Sequence, residues 1–233
     1  MPIHQPDGDL DRPVIRSRVL LKSIFLLHNA GSERAVQTAA LGFRVHSGWA
    51  AAVVLCGPLD APVVVDRREI QLVKTFTYAY RQPYHTAKKM PRRDAVKFIR
   101  GVQSDAKRLA LSSLRSLQAD LAQGDFKIVR SALLLSSGRA LPALDQILAS
   151  HALIHTADGE LFRDSLRAAC ATCDLPLEGI REKELFTAAS SKALCVQPAA
   201  LKRRIAALGK ALGPPWSQDQ KFAALGAWIT LAR

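Results

Sequence analysis

The amino-acid sequence predicts an α/β protein built around a mixed β-sheet. Apolar, β-branched runs come first and are joined by a short proline-containing turn. A long segment with helical periodicity follows, and short apolar runs then alternate with further helical segments. Strands joined by short turns pair antiparallel, whereas strands joined through helices are usually parallel. We therefore expect an antiparallel meander of strands extended by parallel strands, with helices on its faces.

The opening strands are predicted within residues 41–80. Residues 41–57, LGFRVHSGWAAAVVLCG, are almost continuously apolar, as in a strand that is buried on both faces. The segment 58–62, PLDAP, has the composition of a turn, and 63–73 is a β-branched run that becomes alternating. These two runs predict a hairpin. Residues 74–80, KTFTYAY, have the threonine and aromatic content of a third strand.

Helical periodicity is clearest from Arg92 to about Gln123, where apolar residues recur on one face and Gly124 follows at a position typical of a helix end. Two more strands are predicted at 126–137 and 175–181, which makes about five in all. The remaining helices are predicted at 141–150, 157–173, 182–190, 198–212 and 217–232. The last of them begins with the capping-box pattern of Ser and Gln three residues apart.

Positive charge is concentrated in the middle of the chain. The net charge is +13, and residues 67–139 carry sixteen Lys and Arg against five Asp and Glu. Such a distribution suits a polyanion, either nucleic acid or an anionic membrane surface, although a solvated helix face has a similar composition. The cations of the long helix fall on one arc, away from its apolar face. The residues expected to contact nucleic acid are Arg93, Lys97, Arg100, Lys107 and Arg108 on this helix, with Lys88 and Lys89 before it.

Cysteine usage and hydropathy bear on the compartment. The four cysteines do not have the spacing of a disulfide framework, and Cys170 and Cys173 form a lone CxxC without a second ligand pair. We therefore expect a reducing, cytoplasmic location and no zinc site at that pair. No run approaches the length of about 18 apolar residues that a membrane span needs, so no membrane partner is expected.

The domain organisation is predicted to be simple. Residues 1–40 are balanced in charge and are expected to form an N-terminal extension, for which disorder is one expectation. Residues 41–233 then form a single α/β domain, within the size range of one globular unit. The oligomeric state is left open, with a homodimer as one option.

The order of elements resembles that of the ribonuclease-H-like superfamily, and from 41 to 231 the layout is most similar to the RuvC-type Holliday-junction resolvases. Residues 155–180, HTADGELFRDSLRAACATCDLPLEGI, resemble the family's helix that runs into a short strand at the active site. Residues 219–232, DQKFAALGAWITLA, resemble its final helix, and Asp219 matches the catalytic carboxylate of that helix. The resemblance implies a protein that acts on nucleic acid, as a phosphodiester hydrolase, with Mg²⁺ or Mn²⁺ as cofactor.

Two of the carboxylates that the family uses are missing from this sequence. Nucleases of this kind hold two divalent ions about 3.5–4 Å apart, which requires several converging carboxylates. Where the family has an Asp on its first strand, the stretch GFRVHSG contains Arg44 and His46 but no acid. Where the family has a Glu near the end of its fourth strand, Ser136 and Ser137 stand instead. The expected site is therefore an altered one.

The candidate catalytic residues are Glu160, Asp219, His46 and Arg44, of which Glu160 and Asp219 are the candidate metal ligands. Further residues that could complete the site are Asp66, Asp164 and His155. Three functional alternatives stay open: a site in which cations hold phosphate directly, a metal site rebuilt with histidine, or a non-catalytic module that binds nucleic acid or a partner. A structural role is a fourth, in which Arg44 pairs with Asp66 across the hairpin and His46 is hydrogen-bonded at a strand end.

Overall fold

The computed structural model describes residues 16–18, 35–136, 140–190 and 194–233, and places a six-stranded sheet between two layers of helices. The strands are β1 (Arg16–Arg18), β2 (Gln37–His46), β3 (Trp49–Cys56), β4 (Val63–Gln71), β5 (Phe126–Leu135) and β6 (Leu177–Arg181). The helices are α1 (Tyr78–Arg81), α2 (Pro83–Ala87), α3 (Arg92–Ala122), α4 (Leu144–Ala149), α5 (His151–Thr172), α6 (Leu185–Ala188), α7 (Pro198–Leu208) and α8 (Gln218–Leu231), with short 3-10 turns at Glu182–Glu184 and Lys210–Leu212.

The sheet has the strand order β1-β4-β3-β2-β5-β6. Strands β2, β3 and β4 form an antiparallel meander, and β5 and β6 are added in parallel on the other side of β2. This arrangement confirms the predicted α/β class, a mixed sheet in which an antiparallel meander is followed by parallel strands and which is flanked by helices. The sixth strand is β1, which pairs with the outer edge of β4.

The meander contains three strands, as predicted, but two boundaries were wrong. The apolar run 41–57 is a hairpin of two strands, because the chain reverses at Ser47 and Gly48 and His46 pairs with Trp49. Gly48 has φ +86°, a conformation that glycine adopts without strain. Residues 74–80 do not form a strand. The outer edge of β4 is taken by β1, and α1 begins at Tyr78.

The predicted N-terminal extension overlaps the sheet in two places. Strand β1 lies within residues 1–40, and β2 begins at Gln37 rather than at Leu41. Residues 1–15 and 19–34 lie outside the described part of the chain, so the boundary between an extension and the domain stays a prediction.

The sheet separates two apolar cores. On one face α3 and α5 pack against alternate residues of β2, such as Leu41 and Phe43. On the other face α7 and α8 pack against Ala40 and against the alternate residues of the neighbouring strands. Because side chains alternate along a strand, Arg44 and His46 lie on the face that α8 covers.

The tightest helix–sheet contact is at Gly42 in β2. A Cβ atom at this position would lie 1.9 Å from the carbonyl oxygen of Ala223 and 2.8 Å from the backbone nitrogen of Ala227, both in α8. The backbone of α8 therefore rests directly on β2. This contact fixes the first turn of α8 above the carboxyl end of β2.

Gly42→Ala is expected to destabilise the fold by about 3 kcal/mol, the upper end of the usual cost of overpacking, because the new methyl group overlaps backbone atoms that cannot rotate away. The matched control is Gly101→Ala in α3, where a Cβ meets nothing within 4 Å. That substitution should stabilise the protein by about 0.5–1 kcal/mol, since alanine is the better helix former. Urea unfolding followed by circular dichroism measures both. Similar unfolding midpoints for the two variants would contradict the close packing of α8 on β2.

Candidate functional site

Arg44 and His46 lie together at the carboxyl end of β2 and contact the first turn of α8. The Arg44 guanidinium donates from Nε to Glu182 Oε2 at 3.1 Å and from Nη2 to Glu182 Oε1 at 2.7 Å. Its Nη1 donates to Asp219 Oδ1, and His46 Nε2 lies 2.8 Å from that same oxygen. The His46 ring is stacked on Trp49, with centroids 4.5 Å apart. One arginine thus bridges two carboxylates at the edge of the sheet.

Sequence reasoning missed Glu182. It directly follows β6 and opens the 3-10 turn Glu182–Glu184. Strands β2, β5 and β6 are parallel, so their carboxyl ends meet at one edge of the sheet. An acidic residue immediately after a predicted parallel strand is a signal that could have identified it. The sequence pattern over 182–190 predicts a helix and does not by itself indicate a site residue.

Glu160 approaches the same edge from the opposite layer. It lies on α5 and accepts hydrogen bonds from Arg163 Nη1 at 3.1 Å and from Arg167 Nη1 at 3.2 Å. The Ser136 hydroxyl, just after β5, lies 3.4 Å from it. Arg163 also donates from Nε to the carbonyl oxygen of Leu134 in β5 at 3.2 Å. Two arginines therefore hold Glu160 at the end of β5.

Another candidate acid, Asp164, is also bound to an arginine, since its Oδ1 lies 2.5 Å from Arg167 Nη1. The predicted pairing of Arg44 with Asp66 across the hairpin is wrong. Asp66 instead binds Arg68 of its own strand, and its Oδ2 lies 2.6 Å from Arg68 Nη2. The same arginine reaches Asp120 in α3 at 3.0 Å. Arg68 therefore neutralises the buried carboxylate of Asp66. Arg44 instead contacts the acids at the sheet edge.

The electrostatics of the edge follow from these contacts. Burial works against the charge of Arg44, but its hydrogen bonds and attraction to Glu182 and Asp219 outweigh that effect and raise its pKa. Burial lowers the pKa of Arg163, and attraction to Glu160 opposes the shift. Arginine stays protonated in either case. Glu160, Glu182 and Asp219 therefore all face permanent cations.

These residues do not fit a Mg²⁺ or Mn²⁺ centre. Mg²⁺ needs oxygen ligands in near-octahedral geometry, and the carboxylate oxygens at this edge already accept hydrogen bonds from guanidinium groups. Among the residues that the structure describes, Glu160, Asp219 and Glu182 belong to no group of three side chains close enough to share an ion. The group that does meet this condition is His85, His151 and His155, which lies between α2 and α5.

Arg67 ties the segment before α8 to the sheet. This residue lies on β4 and is 1% exposed. Its guanidinium donates hydrogen bonds to four consecutive carbonyl oxygens, those of Leu212 at 3.1 Å, Gly213 at 3.0 Å, Pro214 at 3.2 Å and Pro215. Burial lowers the pKa of this arginine. Because α8 begins immediately after this segment, Arg67 helps to determine where Asp219 is placed.

The predicted nucleic-acid-binding cations are exposed, and those of α3 lie along its outer face. Arg108 Nη2 lies 3.5 Å from Asp105 Oδ1, and the same oxygen lies 2.8 Å from Lys74 Nζ. Within the described ranges the other predicted cations form no ion pair: Arg93, Lys97, Arg100, Lys107, Lys88 and Lys89. This face belongs to the helical layer opposite α8. The exposed cations and the arginine-bridged edge are therefore separate surfaces.

Comparison with known proteins finds similar solved structures but no match in sequence. No family model matches the chain, and no curated protein matches it. Among solved structures it is similar to Thermus thermophilus RuvC in complex with a Holliday junction substrate, with 10% identity, a TM-score of 0.44 and coverage of 84% of this chain and 93% of that one. A second Thermus thermophilus RuvC structure has 10% identity, a TM-score of 0.45 and coverage of 83% and 93%.

The structure also bears on the membrane prediction. No helix in the described part of the chain is both long and apolar enough to cross a bilayer.

The bridge between Arg44 and Asp219 is expected to couple the two residues energetically. Their side chains are 16% and 23% exposed, whereas those of the surface pair Arg181 and Glu184 are 51% and 54% exposed. A double-mutant cycle of Arg44→Met with Asp219→Asn should give a coupling of about 1–3 kcal/mol. The control cycle, Arg181→Met with Glu184→Gln, should give less than about 0.5 kcal/mol.

Urea unfolding of the single and double variants yields both couplings. Equal couplings in the two cycles would show that the bridge at the sheet edge is no stronger than an ordinary surface ion pair.

Proposed function

We propose that this protein binds nucleic acid without cleaving it, and that its ribonuclease-H-like fold serves as the support for a basic surface. The observation that carries the proposal is the position of the Arg44 guanidinium, between Glu182 and Asp219 at the carboxyl ends of the parallel strands. A metal-dependent nuclease needs such carboxylates to hold its ions. Here they hold an arginine.

An arginine can replace the charge of a metal ion but not its chemistry. A guanidinium neutralises neighbouring carboxylates and removes their mutual repulsion, so the edge is stable as it stands. It offers only N–H donors and no open coordination position, and so it cannot generate a metal-bound nucleophile. The same holds for Arg163 and Arg167 beside Glu160. This chemistry favours the non-catalytic alternative over a nuclease with an altered metal site.

The binding part of the proposal rests on the charge of the outer face of α3. The chain has a net charge of +13, most of which lies within residues 67–139. Lys97, Arg100 and Lys107 are exposed on one arc of α3, and they form no ion pair among the described residues. Cations that are not neutralised within the protein are available to phosphate groups, which supply most of the non-specific affinity for nucleic acids.

The triple variant Lys97→Glu, Arg100→Glu and Lys107→Glu is expected to weaken binding to duplexes and single strands. It should reduce the slope of log K against log salt by roughly 2–3, because each lost phosphate contact releases about one counterion fewer. The control carries the same charge change on the opposite layer: Arg203→Glu, Arg204→Glu and Lys210→Glu, all at exposed positions. Fluorescence anisotropy at several salt concentrations measures both.

An equal loss of affinity in the two triple variants would mean that net charge alone drives binding. An unchanged slope in the α3 variant would show that this helix does not contact the phosphates.

Arg44→Asp tests whether the arginine stands in place of a metal ion. The substitution puts a third carboxylate beside Asp219 and Glu182, and the repulsion between them should lower the melting temperature. Divalent cations should relieve that repulsion, so we expect Mg²⁺ to raise the Tm of this variant and to leave that of the natural protein unchanged. The matched control, Arg44→Asn, removes the cation without adding an acid, so its Tm should rise less with Mg²⁺ than that of Arg44→Asp.

The same proteins are then incubated with linear and branched DNA and RNA in the presence of Mg²⁺ or Mn²⁺. The natural protein is expected to cleave none of them. Cleavage by the natural protein that is lost in both Glu160→Gln and Asp219→Asn, with folding intact, would overturn the proposal in favour of a metal-dependent nuclease.

A further inference from the structure

Three histidine rings meet on the surface between α2 and α5, apart from the carboxylates of the sheet edge. His85 comes from α2, and His151 and His155 lie one turn apart at the start of α5. The ring centroids of His85 and His155 are 4.4 Å apart, as are those of His151 and His155, and those of His85 and His151 are 5.4 Å apart. Two helices thus bring three imidazoles to one point.

The ring nitrogens are close enough to one another to share a metal ion. Each ring offers a nitrogen within 4.8 Å of the nitrogens of the other two, and His151 Nε2 lies 3.1 Å from His155 Nε2. In a tetrahedral zinc centre, with Zn–N bonds of about 2.0–2.1 Å, two ligand nitrogens are about 3.3 Å apart. A small movement of exposed side chains is enough to place all three nitrogens around one ion.

A buried carboxylate orients the least exposed of the three rings. Asp158 is 4% exposed, and its Oδ2 lies 2.5 Å from His85 Nδ1. Its Oδ1 accepts a hydrogen bond from the backbone nitrogen of Tyr84 at 2.7 Å. When Nδ1 of His85 donates to Asp158, the lone pair of Nε2 is left for a ligand. Histidines that bind metals are commonly held by a carboxylate in this way.

We propose that His85, His151 and His155 bind one divalent transition-metal ion, with Zn²⁺ as the preferred ion and Asp158 as the positioning residue for His85. Imidazole nitrogens favour Zn²⁺, Ni²⁺, Cu²⁺ and Co²⁺ over Mg²⁺, which prefers oxygen ligands. Three protein ligands leave a fourth position, and this position is open to solvent because His151 and His155 are exposed.

The bound ion would link α2 to α5, two helices that also pack against α3. It would add positive charge close to the exposed lysines Lys88 and Lys89, which directly follow α2. The site does not depend on the proposed function, since neither Arg44 nor the outer face of α3 takes part in it.

A simple hydrogen bond between His151 and His155 would produce the same short distance between their nitrogens without a metal. The two explanations differ in what they require of the third ring. A hydrogen-bonded pair needs neither His85 nor Asp158, whereas a metal site needs His85 as its third ligand and is weakened when that ring loses its orientation.

The test is a calorimetric titration of the full chain, purified without a histidine tag, with Zn²⁺ and with Mg²⁺, supported by the absorption spectrum of the Co²⁺ complex. We expect a single Zn²⁺ ion per chain, no binding of Mg²⁺ at this site, and a tetrahedral Co²⁺ spectrum. His151→Asn and His155→Asn should each weaken Zn²⁺ binding by at least about 100-fold, because each removes one of three protein ligands. Asp158→Asn should weaken it by about 10–100-fold.

The matched control is His46→Asn, which removes the remaining described histidine and should leave Zn²⁺ affinity unchanged. His151 and His155 are exposed, so their variants should fold, and the metal-free melting temperature checks this. Should Asp158→Asn fail to fold, His85→Gln tests the third ligand instead. Absence of Zn²⁺ binding in the natural protein, or equal affinity in the double variant His151→Asn/His155→Asn, would overturn the proposal.

Discussion

The contact between α8 and β2 is the constraint on which the candidate site depends. Gly42 lets the backbone of α8 rest on the strand, and a side chain of any size would hold the helix away. Arg67 on β4 binds the carbonyl oxygens of the segment that precedes α8 and so holds that segment against the sheet. Together these contacts bring Asp219 to Arg44 and His46, 175 and 173 positions away in the chain. Without them the acids and the arginine at the sheet edge would not meet.

The edge of the sheet shows how guanidinium groups can supply the cation that converging carboxylates require. Several acids at the ends of parallel strands repel one another unless a cation lies between them. A metal ion satisfies this need, and so does a guanidinium that is held by the protein itself. In this chain Arg44, Arg163 and Arg167 provide the positive charge. The stability of the edge is then independent of metal.

Some features of the site could be predicted because they depend on neighbours along the chain. The alternation of β2 requires Arg44 and His46 to share a face, and both do lie on the α8 side. The capping-box pattern of Ser217 and Gln220 predicted the start of α8. In the structure the Ser217 backbone nitrogen donates to Gln220 Oε1 at 2.8 Å. The turn within 41–57 was not predicted, because an unbroken apolar run is compatible with one long strand or with two strands of a hairpin.

By itself the sequence determined the class of the fold, the position of the basic residues and the faces of the main helices, since periodicity and charge are local properties. Only the tertiary structure decided which charges meet. It paired Asp66 with Arg68 rather than with Arg44, and it brought Glu182 to Arg44 from 138 positions away. It also placed His85 beside His151 and His155. The physical reason is that ion pairs and ligand clusters form between residues that are distant in the chain, and no local pattern specifies their partners.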